Sequence, residues 1–164
     1  MNFFAIENVE CNNGNGFGTT LYVSGCEHHC EGCFNPKTWN RTKGMRFTQE
    51  TLSYLKSCLS RKIIKRLTIS GGDPLSVYNR MEVVRVCQEI RREFPSLEIW
   101  IYTGYTIEQL KQQSPALYSE LCKHADFIVD GRFDKTKRPT TKPFRGSDNQ
   151  RIWDLKKDCE VIIE

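Results

Sequence analysis

The chain has 164 residues, with 24 Lys and Arg against 20 Asp and Glu, for a net charge of +4. That length predicts one domain over residues 1–164 with a self-sufficient core, and 38% hydrophobic with 27% charged residues is the balance of an ordinary globular protein. No apolar run approaches the roughly 20 residues that cross a bilayer, and Met1-Asn2-Phe3-Phe4 lacks a secretory leader's basic start, so a cytoplasmic protein without a membrane partner is expected.

Gly14-x-Gly16-x-Gly18 comes first along the chain. It precedes a strand-like run and opens no helix, so it is not a dinucleotide-binding loop; it reads as a flexible loop near the chemistry that follows. Thr19 to Val23 is a short β-like run that leads into Cys26-x3-Cys30-x2-Cys33. Thr48 to Leu59 places Leu52, Leu55 and Leu59 at helical spacing, with Thr48 as N-cap. Arg66 to Ser70 is a strand stopped by Gly71-Gly72. Asn79 to Phe94 is a helix with Val83, Val86, Cys87 and Ile90 on one face, ended by Pro95. Glu98 to Tyr102 is a strand, Thr106 to about Gln113 a helix, and Pro115 an interruption before Ala116 to His124. Phe127 to Val129 is a strand. Arg132 to Ser147 is a loop, and Gln150 to Trp153 and Glu160 to Ile163 are candidate closing strands. Alternating strands and helices imply parallel pairing with right-handed crossovers. The chain is short of the about 250 residues of an eight-fold barrel, so the expected fold is α/β, an incomplete parallel β/α barrel.

The eight cysteines do not read as a disulfide framework, because three are clustered. Cys11, Cys58, Cys87, Cys122 and Cys159 read as small buried residues. Three thiolates on one loop can hold a metal centre, one ligand short of an ordinary iron–sulfur shell. A zinc site completed by His28 or His29 is the alternative, but zinc sites pair Cys-x2–4-Cys with a distant second pair that is missing here. A plain electron carrier needs a fourth cysteine that the spacing does not offer. The cysteine loop, Gly71-Gly72-Asp73, Thr103-Gly104-Tyr105 and Asp130-Gly131-Arg132 each follow a strand-like run. In a parallel sheet such ends share one rim, where active sites gather. Two glycines there let backbone approach a ligand that a Cβ would block. Lys135, Lys137, Arg138 and Lys142 make the late loop basic; with few interleaved aromatics it reads as a partner-facing or solvated surface, not a nucleic-acid patch.

The cysteine spacing resembles that of the radical S-adenosylmethionine superfamily. Ser24-Gly25-Cys26 through Cys33-Phe34-Asn35, Ser70-Gly71-Gly72-Asp73-Pro74-Leu75, Trp100-Ile101-Tyr102-Thr103-Gly104-Tyr105, Val129-Asp130-Gly131 and Arg145-Gly146-Ser147-x-Asn149-Gln150 are together similar to the activating enzymes of anaerobic, class III ribonucleotide reductases. The resemblance implies a radical S-adenosylmethionine oxidoreductase with one [4Fe–4S] cluster on Cys26, Cys30 and Cys33. It implies S-adenosyl-L-methionine at the fourth iron, and a glycyl radical made on the large reductase subunit with electrons from a flavodoxin-like donor. It further implies cofactor contacts at Gly32, Cys33 and Phe34 for the adenine and at Gly71, Gly72 and Asp73 for the methionine ammonium. Thr103 would line the same cavity, with Asp130 and Arg132 near the carboxylate. No catalytic side chain is implied beyond cluster and cofactor. Two positions depart from common variants: Gly32 stands where many members carry an aromatic, and Asp73 where many carry Glu. An activase of the pyruvate formate-lyase type and a zinc-binding module are the alternative functions.

Overall fold

The structure, a computed structural model, describes residues 1–163. The elements are β1 Asn2–Glu10, β2 Gly18–Val23, β3 Met45–Arg46, α1 Gln49–Leu59, β4 Arg66–Gly71, α2 Arg80–Glu93, β5 Glu98–Tyr102, α3 Ile107–Gln113, α4 Pro115–His124, β6 Phe127–Asp130, β7 Arg151–Asp154 and β8 Cys159–Val161. All the strands join one sheet in the order β3-β1-β2-β4-β5-β6-β7-β8. β2, β4, β5 and β6 are parallel neighbours. β1 and β3 on one side, β7 and β8 on the other, pair antiparallel. The sheet is mixed and does not close, which corrects the expectation of purely parallel pairing. β1 was not foreseen: apolar Phe3, Phe4, Ala5 and Ile6 run on into Glu7, Asn8 and Glu10, so the segment lacks a clean alternation.

Helix boundaries follow local chemistry. Thr48 and Thr51 exchange side-chain-to-backbone hydrogen bonds at the start of α1, and Thr106 and Gln109 do the same for α3. Each pair satisfies two of the first-turn N–H groups. Pro115 opens α4 as a separate helix, where its missing N–H costs nothing.

Parity along the strands sorts the two faces of the sheet. The in-register residues Leu21, Ile69, Ile101 and Ile128 pack with Leu52, Leu55, Val83, Ile90 and Leu121 from the helices in the main core. The alternate residues Trp100, Val129 and Ile152 form a smaller cluster on the other face. That second face also buries Arg66, whose Nη1 lies 2.5 Å from Glu10 Oε1 and 2.7 Å from Thr68 Oγ1. Its Nε donates to the Asn15 carbonyl at 3.1 Å. The early glycines serve this residue: a Cβ on Gly18 would sit 2.6 Å from Arg66 Cζ, and one on Gly14 2.9 Å from its Cδ. The glycine-rich stretch therefore wraps a buried cation.

Among the scattered cysteines, Cys58 and Cys87 are buried as expected and Cys122 is partly covered. Cys11 and Cys159 are exposed, a correction, because they lie where the antiparallel flanks meet solvent. No helix among the described residues is long and apolar enough to cross a membrane.

Candidate metal and cofactor site

Parallel register brings the ends of β2, β4, β5 and β6 side by side, with Val23 opposite Gly71, Ile69 opposite Ile101 and Tyr102 opposite Val129. The cysteine loop leaves β2 and is pinned at once. Gly25 N–H donates to the Thr38 carbonyl at 2.7 Å and Cys26 N–H to the Trp39 carbonyl at 3.0 Å. Cys33 N–H then closes a turn on the Cys30 carbonyl at 3.1 Å. These bonds hold all three cysteines on one wall of a cavity of about 440 Å³. Burial pushes the Cys26 thiol up to about 11, against the opposing pull of the His28 and His29 backbone N–H groups.

The glycine pair at the end of β4 is required by this loop. A Cβ on Gly71 would lie 2.8 Å from the Val23 carbonyl oxygen, and one on Gly72 2.6 Å from that of Gly25. Gly72 N–H and Asp73 N–H donate to those same carbonyls, each at 2.8 Å. The close backbone approach thus runs to the exit from β2.

Asp73 is buried and ties three segments together. Its Oδ2 lies 2.5 Å from His28 Nε2 in the cysteine loop and accepts from Gly104 N–H at 3.0 Å. Its Oδ1 accepts from Leu75 N–H at 2.7 Å and from the Thr103 hydroxyl at 2.9 Å. Both oxygens are therefore engaged by the chain itself. A Cβ on Gly104 would lie 2.7 Å from His28 Nε2, and the Tyr105 ring meets the imidazole edge-on at 4.7 Å. Asp73 and Thr103-Gly104-Tyr105 together make a seat for His28.

Of the residues singled out from sequence, Cys26, Cys30, Cys33, Phe34, Gly71, Gly72, Asp73 and Thr103 line the one cavity. Gly32, Asp130 and Arg132 do not. Gly32 faces the Lys135 and Phe133 side chains. Asp130 shares the parity of Ile128, so it points to the helix side of the sheet. There it accepts from Arg151 at 2.5 and 3.0 Å and from Ile107 N–H at the start of α3 at 2.8 Å. Arg132 is exposed and lines a separate surface depression with Asp134 and Lys135. The acid and base two apart do not meet at the cavity. Phe34 is 57% exposed at the mouth, its ring 5.0 Å from Phe133 and under the Arg138 guanidinium at 4.5 Å. Trp39, Tyr22, Phe144 and Arg145 line the cavity without having been singled out as site residues.

The donor set fits an iron–sulfur cluster. Three unpaired thiols come from one loop, and buried Trp39 Nε1 and His28 Nδ1 on the same cavity have no partner. Cluster sulfurs accept hydrogen bonds from donors so placed. Among the described residues, no three Cys, His, Asp or Glu side chains converge as a single ion requires, whereas a cubane spreads three thiolates over three irons.

Residues 12–153 match the family model of the 4Fe-4S single cluster domain. The chain is 43% identical to the anaerobic ribonucleoside-triphosphate reductase-activating protein of Enterobacteria phage T4, over 93% of this chain and 94% of that one. It is 38% identical to the protein of that name from Vibrio cholerae, over 93% and 97%, and 35% identical to that of Escherichia coli K12, over 95% and 100%. With its cysteine loop, glycine turn and β5 motif gathered on one cavity, the chain belongs to the family of anaerobic ribonucleoside-triphosphate reductase-activating proteins, built on a 4Fe-4S single cluster domain.

Proposed function

We propose that this chain holds one [4Fe–4S] cluster on Cys26, Cys30 and Cys33, binds S-adenosylmethionine beside it, and installs a glycyl radical on the large subunit of an anaerobic ribonucleotide reductase. The observation that carries the reading is the convergence of the three cysteines with the ends of β4 and β5 on one cavity. Held by Cys26, Cys30 and Cys33, such a cluster would supply the electron for reductive cleavage of S-adenosylmethionine, the chemistry by which a hydrogen atom would be taken from a glycine Cα of the reductase.

The chain's own part is to bind, orient and exclude. Gly71 and Gly72 let β4 approach the β2 exit closely enough to fix the cysteine loop. Asp73 holds that loop through His28, which leaves Gly72, Ser70 and Thr103 to face the cofactor. This revises the role expected for Asp73: its carboxylate positions the loop, and the methionine ammonium is left to the neighbouring backbone. Phe34, Phe133 and Arg138 form an aromatic and cationic rim that limits water while admitting a peptide. The open sheet is read as the incomplete barrel of the radical S-adenosylmethionine type, and a flavodoxin-like protein is the expected donor.

Anaerobic reconstitution tests the reading. A brown protein with about four irons per chain should cleave S-adenosylmethionine under reduction and give a glycyl doublet in the electron paramagnetic resonance spectrum of an anaerobic reductase. A colourless zinc-loaded protein would end it. Cleavage with a radical on a pyruvate formate-lyase-type enzyme only would keep the chemistry and reject the partner.

A further inference from the structure

Arg145 belongs to a segment for which the sequence suggested no role. It lines the cavity and is only 9% exposed. Its Nη1 makes a long bond of 3.3 Å to the Gln150 carbonyl. Its Nε and Nη2 are shielded from solvent and have no partner. Among the described residues no carboxylate lies within ion-pair distance of it. Arg66, equally deep, shows how this chain treats a structural arginine: each of its nitrogens meets an acceptor from Glu10, Thr68, Asn15 or Gly16.

The backbone that presents Arg145 is fixed. Gly146 and Ser147 N–H groups converge on Gln150 Oε1 at 2.8 and 3.3 Å, and Gln150 Nε2 donates to the Gly131 carbonyl at 2.9 Å. Phe144, just before it, is held at φ +60 with its carbonyl bonded to the Tyr102 hydroxyl at 2.8 Å. Non-glycine residues adopt that conformation at a cost, and such strain gathers at ligand sites. Nε–H and Nη2–H form the side-on edge of the guanidinium, whose spacing matches the two oxygens of a carboxylate. An unpaired buried cation destabilises the protein until such a partner arrives.

We propose that Arg145 is the carboxylate receptor of this cavity. The carboxylate has two possible sources: the amino-acid end of S-adenosylmethionine, which rests on the function proposed above, or an acidic group of the docking reductase. Calorimetry on the reconstituted protein separates them, with S-adenosylmethionine and its decarboxylated analogue as probes, alongside direct measurement of reductase binding. With the cofactor as source, Arg145→Gln should weaken S-adenosylmethionine at least tenfold and leave the decarboxylated analogue within twofold. With the partner as source, S-adenosylmethionine affinity should hold and reductase binding should fall at least tenfold. Unchanged binding of all three overturns the proposal, as does an equal loss for the acid and its decarboxylated analogue.

Stability gives a second readout. Arg145→Met should leave the unfolding midpoint of the cofactor-free protein equal to or above wild type, because it removes an unpaired charge. A lower midpoint would show that the guanidinium is structural and would reject the inference. If Arg145→Gln fails to load iron, Arg145→Lys repeats the titrations, since a point charge cannot replace the fork. Should wild type bind no S-adenosylmethionine, the proposed function falls, and the reductase-binding arm alone decides Arg145.

Discussion

Gly104→Ala adds one methyl group and tests how the cysteine loop is held. The φ of Gly104 lies outside the left-handed range, so alanine suits the backbone. The obstacle is His28, whose Nε2 would lie 2.7 Å and Cγ 2.8 Å from the new Cβ. The ring must leave its seat, which breaks the 2.5 Å contact with Asp73. A buried hydrogen bond to a charged group is worth about 1.5–3 kcal/mol. Asp73 keeps its Leu75 and Thr103 donors, so it is not stranded. Alanine in place of glycine returns about 0.4–1 kcal/mol through the unfolded chain. The net loss should be about 1–2 kcal/mol, or roughly 2–8 °C in Tm for a chain of this size. Anaerobic urea unfolding of the cofactor-free protein measures it, and iron content after reconstitution should fall as the loop shifts. The decisive comparison is a double-mutant cycle with His28→Ala. Without the imidazole, Gly104→Ala should be neutral or slightly stabilising. An equal cost in both backgrounds would refute the account of Gly104 as the seat of His28.

Cys26→Ala, Cys30→Ala or Cys33→Ala should abolish iron loading, read by metal analysis and the visible spectrum. Cys87→Ala, deep in the core, should load iron normally and lose about 1 kcal/mol of stability. Burial raises the Glu10 carboxyl, but hydrogen bonds from Arg66, Thr20 and Asn12 outweigh it and hold the group below its ordinary value of 4.5. Its contribution is therefore complete above pH 4.5 and disappears as pH falls through the lower folded value. Glu10→Gln should flatten that acid limb and cost about 3–5 kcal/mol at neutral pH by stranding Arg66; wild-type stability at pH 7 would refute the pairing. Lys135 pairs with Glu31 of the cysteine loop, and Lys137 lies 3.9 Å from Asp134. Such exposed pairs are worth at most about 1 kcal/mol. Reversing both lysines to Glu should leave folding intact and weaken reductase activation more than cofactor cleavage; equal loss in both assays would place this loop at the cofactor instead.

The sequence by itself determined the parallel centre of the sheet, because β2, β4, β5 and β6 carry short apolar runs and the helices between them keep one apolar face. It also placed the cysteine loop and the glycine turn at strand ends, since both follow such runs directly. Even the orientation of Asp130 was legible in principle: it shares parity with Ile128, and so faces the helices with Arg151 as partner. What only the tertiary structure decided is which neighbour each glycine makes way for. Gly14 and Gly18 make room for Arg66, 52 and 48 positions on; Gly72 yields to Gly25, and Gly104 to His28. β1 and β3 were likewise settled by their neighbours: β1 is held between β2 and β3, and the two-residue edge strand β3 needs no strong pattern of its own. Close approach between distant segments is a property of packing, and a glycine records that something passes nearby without recording what. The same holds for the unpaired edge of Arg145: the residue is written in the sequence, but its lack of a partner appears only once every neighbour has been placed.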